Sequence, residues 1–308
     1  MDNKTSLPPI DLVIPMVFPQ DPDWQREYAR SSGIDATRNV RFRSWGTEEL
    51  LVQCCRKYMP WLRTIHILLA SESQTEFLPG VKDLAGCPQV RFVFHRDFVP
   101  ENLLPCFNIN TVEMFLHKIP GLPEHFIYSN DDFFPLSPLQ ESDFFQPSGN
   151  SRLLPCQHMD EKPYPDPPNI FHRFVMSGLN MVAEDFGLHF TTTWLKGGHS
   201  MQPMLRSTVE KVCTRHADRI GHSFTFRRTD RNFNQYIFPF YQHFSGEYID
   251  HVPTRKYVGP NADIGKIVGI IRRDDAGIVC LNDHESIEDW EQRAEAIRRE
   301  IAEKVRTS

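Results

Sequence analysis

The chain of 308 residues contains no GxGxxG, no GxxxxGK[ST] and no GxSxG. Dinucleotide binding on a glycine fingerprint, P-loop chemistry and serine-nucleophile hydrolysis are therefore poor readings, since each depends on residues at fixed spacing around a tight turn. There is no CxxC and no HExxH, and the 13 histidines and seven cysteines form no cluster at zinc spacing. Structural zinc is disfavoured, and an odd, scattered set of cysteines fits buried reduced thiols better than a disulfide framework. No apolar run approaches the roughly 18 residues that cross a bilayer. The leading MDNKTSLPP lacks the basic and apolar regions of a secretory leader, so a cytoplasmic protein is expected. A net charge of −6 gives no basic field for bulk nucleic acid. An anionic ligand would have to be held by local arginines or a metal. The sequence also has no internal repeat.

What is present is an alternation of short β-like and helical runs between residues 10 and 132. IDLVI (10–14), TIHILL (64–69) and VRFVF (90–94) have the length and β-branching of strands. Thr47 is placed to cap a helix with Glu48 and Glu49 in its first turn, an inner face of Leu50, Leu51, Cys54 and Tyr58, and a stop at Pro60. The spacing of Val112, Phe115, Leu116 and Ile119 predicts a helix over 109–119, followed by a strand over 126–129. Such alternation implies a mostly parallel sheet that binds ligands beyond the carboxyl ends of its strands.

Residues 146–169, rich in proline, read as a surface loop or flap. A mainly helical half is expected beyond them. One helix over 201–220 would bury Leu205, Val209, Val212, Cys213 and His216. A second would carry the stripe Phe233, Ile237, Phe240, Tyr241 and Phe244, kinked near Pro239 and stopped by Gly246. The last would enter at Ser286, with Asp289 three residues on, and run through Trp290, Ile297 and Ile301. The 23 phenylalanines suggest a thick aromatic core.

The segment FIYSNDDFF (126–134) is the centre of the chemical reading. An apolar strand ends on Asn130 and the adjacent carboxylates Asp131 and Asp132, which repel one another and invite a divalent cation. Taken alone, the tripeptide is a turn signal. Glu113 and His117, one helical turn apart, would share a flank just before this strand. His199, in GGHSMQP, is expected on a tight turn near a helix start. Arg227, Arg228 and Arg231 surround Asp230 as a candidate anion clamp. IVCLND (278–283) is a second apolar run closing on Asn-Asp, and its Asp283 is a candidate to approach the first acid pair.

Together these segments resemble the Stealth family of sugar-1-phosphate transferases, which includes bacterial capsule polymerases and the animal lysosomal-enzyme N-acetylglucosamine-1-phosphotransferase. IDLVIPMVFPQDPDW (10–24) resembles the first of four family regions. RFRSWGTEELL (41–51) and HRDFVPENLLPCFNINTVEMFLHKIPGLPEHFIYSNDDFF (95–134) resemble the second, HSMQP with FRRTDRN the third, and VCLND (279–283) the fourth. The family's RFRDN reads RFRSW here.

The resemblance implies an α/β, Rossmann-like (glycosyltransferase A-type) fold with a mostly parallel sheet and an added mainly helical C-terminal half. It implies one catalytic domain over 1–308: a nucleotide-sugar core at 10–145, the loop at 146–169, and a half at 170–308 that completes the site. The implied reaction moves a sugar-1-phosphate from a nucleotide sugar, a UDP-hexose or UDP-N-acetylhexosamine, to a hydroxyl of a glycan or lipid-linked oligosaccharide, releasing a nucleoside monophosphate. Its setting would be capsule or exopolysaccharide synthesis, with at most peripheral association with the membrane. The implied cofactor is Mg²⁺ (or Mn²⁺) on Asp132, with Asp131 and Asp283. Glu113, Asp132, His199, Arg227 and Asp283 match catalytic positions, with His199 or Glu113 as base and Arg227 or Arg228 on the phosphate. Arg41, Arg43, Asn108, Asn110, His117, Arg228 and Asp230 are the expected substrate contacts. A conventional metal-dependent glycosyltransferase and a non-catalytic nucleotide-sugar-binding relative are the alternatives.

Overall fold

The computed structural model describes residues 8–33, 42–82, 84–86, 88–145, 159–197, 199–246, 255–284 and 286–307. Along the chain, β1 (Ile10–Pro15), α1 (Pro22–Ser32), α2 (Glu48–Tyr58), β2 (Thr64–Leu69), α3 (Pro79–Lys82) and β3 (Gln89–Phe94) come first. They are followed by α4 (Ile109–Glu113), β4 (His125–Tyr128), β5 (Phe133–Pro135), β6 (Met159–Pro163), α5 (Ile170–Ala183), β7 (Thr193–Gly197) and β8 (Gln202–Leu205). The remainder is α6 (Arg206–Arg215), α7 (Ala217–Ser223), α8 (Ile237–Phe244), β9 (Arg255–Val258), α9 (Ile264–Ile271), β10 (Ile278–Leu281) and α10 (Trp290–Arg306).

The main sheet has the order β3-β2-β1-β4-β8. Its first four strands are parallel, and β8 closes the edge antiparallel to β4. The expected mostly parallel α/β sheet is therefore present. Strands β1, β2 and β4 are buried along almost their whole length, so they read as continuous apolar runs rather than alternating ones. From β1 the chain moves outward through β2 to β3, then returns to place β4 on the other side of β1. That reversal is the topological switch point, where two connections leave in opposite directions and open a crevice. The segments Met16–Val17 and Asn130–Asp132 both emerge there. A small sheet, β5-β10-β9, lies downstream: β10 runs antiparallel to β5 and parallel to β9. It brings the carboxyl end of β10 alongside Asp132, whose carbonyl accepts the Leu281 N–H at 2.9 Å.

Several sequence expectations are corrected by local chemistry. The helix expected over 109–119 ends at Glu113, and a separate 3₁₀ turn covers Leu116–Lys118. At the break the Met114 and Phe115 N–H groups bond the Thr111 and Val112 carbonyls, three residues back rather than four, and beyond the 3₁₀ turn Pro120 and Gly121, with φ of 76°, turn the chain away. The stretch 201–220 is not one helix: Gln202–Leu205 form β8, and the helical part breaks at His216. Residues 159–163, assigned to the proline-rich loop, form β6 and pair with β7, while 146–158 lie outside the described residues. Pro239 does not kink α8. It falls in that helix's first turn, where no intrahelical donor is lost. The last helix starts at Trp290, and Ser286 instead bonds the His284 ring. Helix α1 had no counterpart in the sequence reading, although Asp21 accepts from the Asp23 N–H, Pro22 opens the helix and Gly33, at φ 67°, closes it.

At the opposite, amino-terminal end of β1 lies a buried charge cluster that supports the sheet. Asp11 has no exposed surface and receives Arg63 Nε at 2.9 Å, Arg63 Nη2 at 2.6 Å and His66 Nε2 at 2.7 Å. Burial alone would raise its pKa, but the His66 and Arg63 bonds overcome this and hold it below the ordinary value. Because the folded pKa is depressed, this stabilisation is present above the unfolded value of 3.8 and is lost as pH falls through the folded one. Asp11→Ala leaves His66 and Arg63 without their acid and is expected to cost on the order of 3 kcal/mol. Urea denaturation at pH 7 measures this, and an unchanged midpoint would remove the cluster from the account of stability.

Candidate active site

A cavity of about 710 Å³ opens at the switch point. Strand ends and helix starts build its wall: Met16 and Val17 after β1, Asn130, Asp131 and Asp132 after β4, Asn282 and Asp283 after β10, and Asn108, Asn110 and Glu113 at α4. His199, Arg43, Arg227, Arg228, Gln235 and Tyr236 complete it. Residues far apart in sequence, from 16 to 283, thus meet in one crevice.

Asp132 is half-buried, and one of its oxygens, Oδ1, has no hydrogen-bond partner among the described residues. The other, Oδ2, accepts from the buried Cys280 thiol at 3.3 Å. Burial raises the Asp132 pKa against the opposing charge of His199. Asp131 is crowded by protein, which together with the Asp132 charge and then Glu48 pushes its carboxyl up to about 7. Asp131 nevertheless presents exposed surface to the cavity, and that solvent moderates the effect. Donor atoms of Asp132, His199 and Cys280 all lie within 4.8 Å of one another. This grouping could take a metal ion, and Cys280 was not among the ligands expected from sequence.

His199 is also placed differently from expectation. It precedes β8 rather than a helix, and a strand intervenes before α6. Its ring lies edge-on to Phe133, with centroids 4.9 Å apart, and its Nδ1 is 3.4 Å from the Tyr236 hydroxyl. Although its surface reaches solvent, packing against these rings lowers its pKa, with Asp132 opposing. Glu113 is fully enclosed. Tyr128 donates its hydroxyl to Oε1 at 2.9 Å, and the Gln235 backbone N–H reaches Oε2 at 2.9 Å. Burial pushes Glu113 up to about 7 despite those bonds and the Arg228 charge. The adjacent pair Gln235 and Tyr236 therefore touches both candidate bases, one through its backbone and the other through its phenol.

Asp283 lines the cavity as one half of an ion pair. Arg43 grips both its oxygens, Nε at 2.8 Å and Nη2 at 2.6 Å. The Arg43 guanidinium lies 4.8 Å from the Trp290 ring centre, and Trp290 stacks on Trp45 at 5.6 Å. Trp45 in turn donates its indole N–H to the Leu281 carbonyl at 2.8 Å. Trp45 of the RFRSW segment thus anchors this stack, while Ser44 bonds Glu48.

Other expected contacts separate. His117 does not line the cavity, because the break after Glu113 rotates it toward Lys118, Glu210 and Arg206, and burial lowers its pKa to about 4. Asp230 forms no clamp with the neighbouring arginines and pairs with Arg173 at 3.4 Å on the surface. Asn108 lines the cavity, but its amide bonds Thr225 and Asn232 and holds that segment in place. Arg227 and Arg228 both line it. Arg227 donates to the Ser32 carbonyl, and Arg228 lies 5.8 Å from the Phe174 ring centre. Arg41 lies outside the described residues.

Residues 41–153 match the model of Stealth protein CR2, conserved region 2. The chain therefore resembles the Stealth family over that region. The chain is 28% identical over 251 residues to the capsular polysaccharide phosphotransferase fcs1 of Haemophilus influenzae, covering 78% of the chain and 66% of that protein. It is 36% identical over 152 residues to the capsular polysaccharide phosphotransferase cps12A of Actinobacillus pleuropneumoniae, covering 47% and 40%. The receptor polysaccharide phosphotransferase WefC of Streptococcus oralis is 25% identical over 327 residues, covering 92% and 93%. Among solved structures, the galactosyltransferase LgtC superposes with a TM-score of 0.41 at 11% identity over 95% of each chain. Among the described residues, no helix is long and apolar enough to cross a membrane.

Proposed function

We propose that this protein transfers a sugar-1-phosphate from a nucleotide sugar to a hydroxyl of a glycan or lipid-linked oligosaccharide, acting as one catalytic unit. The observation that carries this reading is the convergence of Asp131, Asp132, His199, Glu113, Arg227 and Arg228 on one crevice at the switch point. The names of its relatives support it: fcs1 and cps12A are capsular polysaccharide phosphotransferases, and WefC is a receptor polysaccharide phosphotransferase. The setting is surface polysaccharide synthesis at the cytoplasmic side, with no nucleic-acid partner.

In the proposed reaction the acceptor oxygen bonds to the phosphorus that carries the sugar. The bond from that phosphorus to the nucleoside phosphate breaks, and the acceptor proton passes to a protein base. Catalysis of this kind consists mainly of placing partners and neutralising charge. We assign the base to Glu113 rather than His199. Its proton affinity is raised to about 7, and Tyr128 and Gln235 fix both its oxygens. Arg227 and Arg228 face the phosphates. Arg43 and Asp283 form an ion pair in the cavity wall.

A divalent cation fits here on chemical grounds. The unpartnered Oδ1 of Asp132 and the carboxylate of Asp131 supply the oxygen donors that Mg²⁺ or Mn²⁺ prefers, with His199 adjacent. When bound, the cation would offset negative charge on the diphosphate.

Phosphorus NMR of products from a panel of UDP-sugars, Mg²⁺ and an oligosaccharide acceptor tests the reaction class. The expected result is a phosphodiester with UMP, whereas UDP and a glycoside would overturn it in favour of a conventional glycosyltransferase.

A further inference from the structure

Two amide side chains in the cavity wall have polar atoms with nothing to bond. Asn110 Nδ2 is a donor and Gln235 Oε1 an acceptor; both residues are more than nine-tenths buried, and neither atom has a hydrogen-bond partner among the described residues. They belong to one locus. Asn110 sits three residues before Glu113 on α4, so the two share a helix face, and the Gln235 N–H bonds the Glu113 carboxylate. Buried amides without partners are uncommon in folded proteins, and one that lines a cavity is free to bond a group that enters it. Terminal amide torsions are soft, so a small rotation turns either group toward the cavity. Phe171, half-buried, lines the same part of the cavity and meets Tyr236 edge-on at 6.1 Å.

We infer that Asn110, Gln235 and Phe171 form the subsite for the pyranose of the nucleotide-sugar donor, reading a ring hydroxyl or acetamido group that both accepts and donates. Either substituent satisfies both amides at once: its oxygen accepts from Asn110, and its O–H or N–H donates to Gln235. An aromatic face at the rim suits the apolar face of a sugar ring. The donor sugar is preferred over the acceptor because it is bonded to the diphosphate and cannot lie more than a ring's width from the acids proposed to hold that group. Tyr128 connects the two places, since it bonds Glu113 and ends β4 three residues before Asp131. The inference rests on the nucleotide-sugar reading above and specifies which residues select the sugar.

The test is calorimetric titration with UDP, UDP-glucose, UDP-galactose and UDP-N-acetylglucosamine in the presence of Mg²⁺, on the wild type and on Asn110→Leu and Gln235→Met. The wild type is expected to bind at least one UDP-sugar about tenfold more tightly than UDP. Both variants should keep the wild-type Kd for UDP and lose at least fivefold of the sugar's increment. They should melt no lower than the wild type, because removing an unpartnered polar atom costs the fold nothing. Loss confined to UDP-N-acetylglucosamine assigns the acetamido group, and loss with the hexoses assigns a ring hydroxyl. Variants that keep the full increment, or a wild type that binds UDP with no increment for any sugar, would overturn the subsite and leave the nucleotide reading intact. A wild type that binds none of the four ligands would overturn both.

Discussion

Asp132→Asn is expected to lower turnover by about a thousandfold, the scale on which removal of one charge-stabilising group acts at a preorganised site. The substitution preserves shape. It removes the charge that repels Asp131 and replaces the carboxylate whose Oδ1 is unpartnered. Ionisation of Asp132 is already disfavoured by burial, so the neutral amide relieves the folded state. The melting temperature should therefore hold or rise while UMP release collapses, a combination that ordinary misfolding cannot produce. Turnover within a few fold of wild type would dismiss Asp132 as the centre of the site.

Glu113→Gln should reduce kcat by about a hundredfold or more, the usual worth of a positioned general base. Its distinguishing sign is in the pH profile. With the Glu113 carboxyl pushed up to about 7, the wild-type rate should climb as pH rises through that value and level off above it. The variant should lack this limb. Stability moves the opposite way. The folded pKa lies above the ordinary value of 4.5, so the native state holds an extra proton between those values, and stability falls as pH rises from 4.5 to about 7. The isosteric amide should flatten that slope as well. A variant that keeps the kinetic limb would shift the base to His199.

Strands of the main sheet were legible as short β-branched or aromatic runs, and β1 and β2 also because they are buried almost throughout. TIHILL is β2 to the residue, and IDLVI and VRFVF each differ from β1 and β3 by a single end residue. The acid pair was legible for a related reason: an apolar run that stops on two carboxylates places them at a strand's carboxyl end. Elements decided by pairing with distant chain were not. Gln202–Leu205 resembles a helix start by composition, yet β4 recruits it as an edge strand. His117 shows the limit of periodicity, since the i, i+4 relation to Glu113 assumes a helix that tightens into 3₁₀ bonding directly after Glu113.

Within the site, residues in compact polar motifs could be read, whereas those defined by a partner could not. Asp283 looked like a metal ligand from its Asn-Asp context. Its ion-pair partner, Arg43, is 240 residues away, and no local pattern links them. Cys280 was hidden in an apolar strand. Gln235 stood at the head of an aromatic stripe that reads as packing, and only the enclosed carboxylate of Glu113 shows what its backbone does.

The placement of β8 bears on how this protein can be divided. The block 41–153 that matches the family model supplies β4, but the hydrogen-bonding neighbours of β4 are β1, at residues 10–15, and β8, at 202–205. Excised, that block would carry a strand bare on both edges, with polar backbone open to any passing chain. The family's most recognisable stretch is therefore a signature, not a module. Its acids are presented correctly only while strands from either side of it in the sequence hold β4 in place.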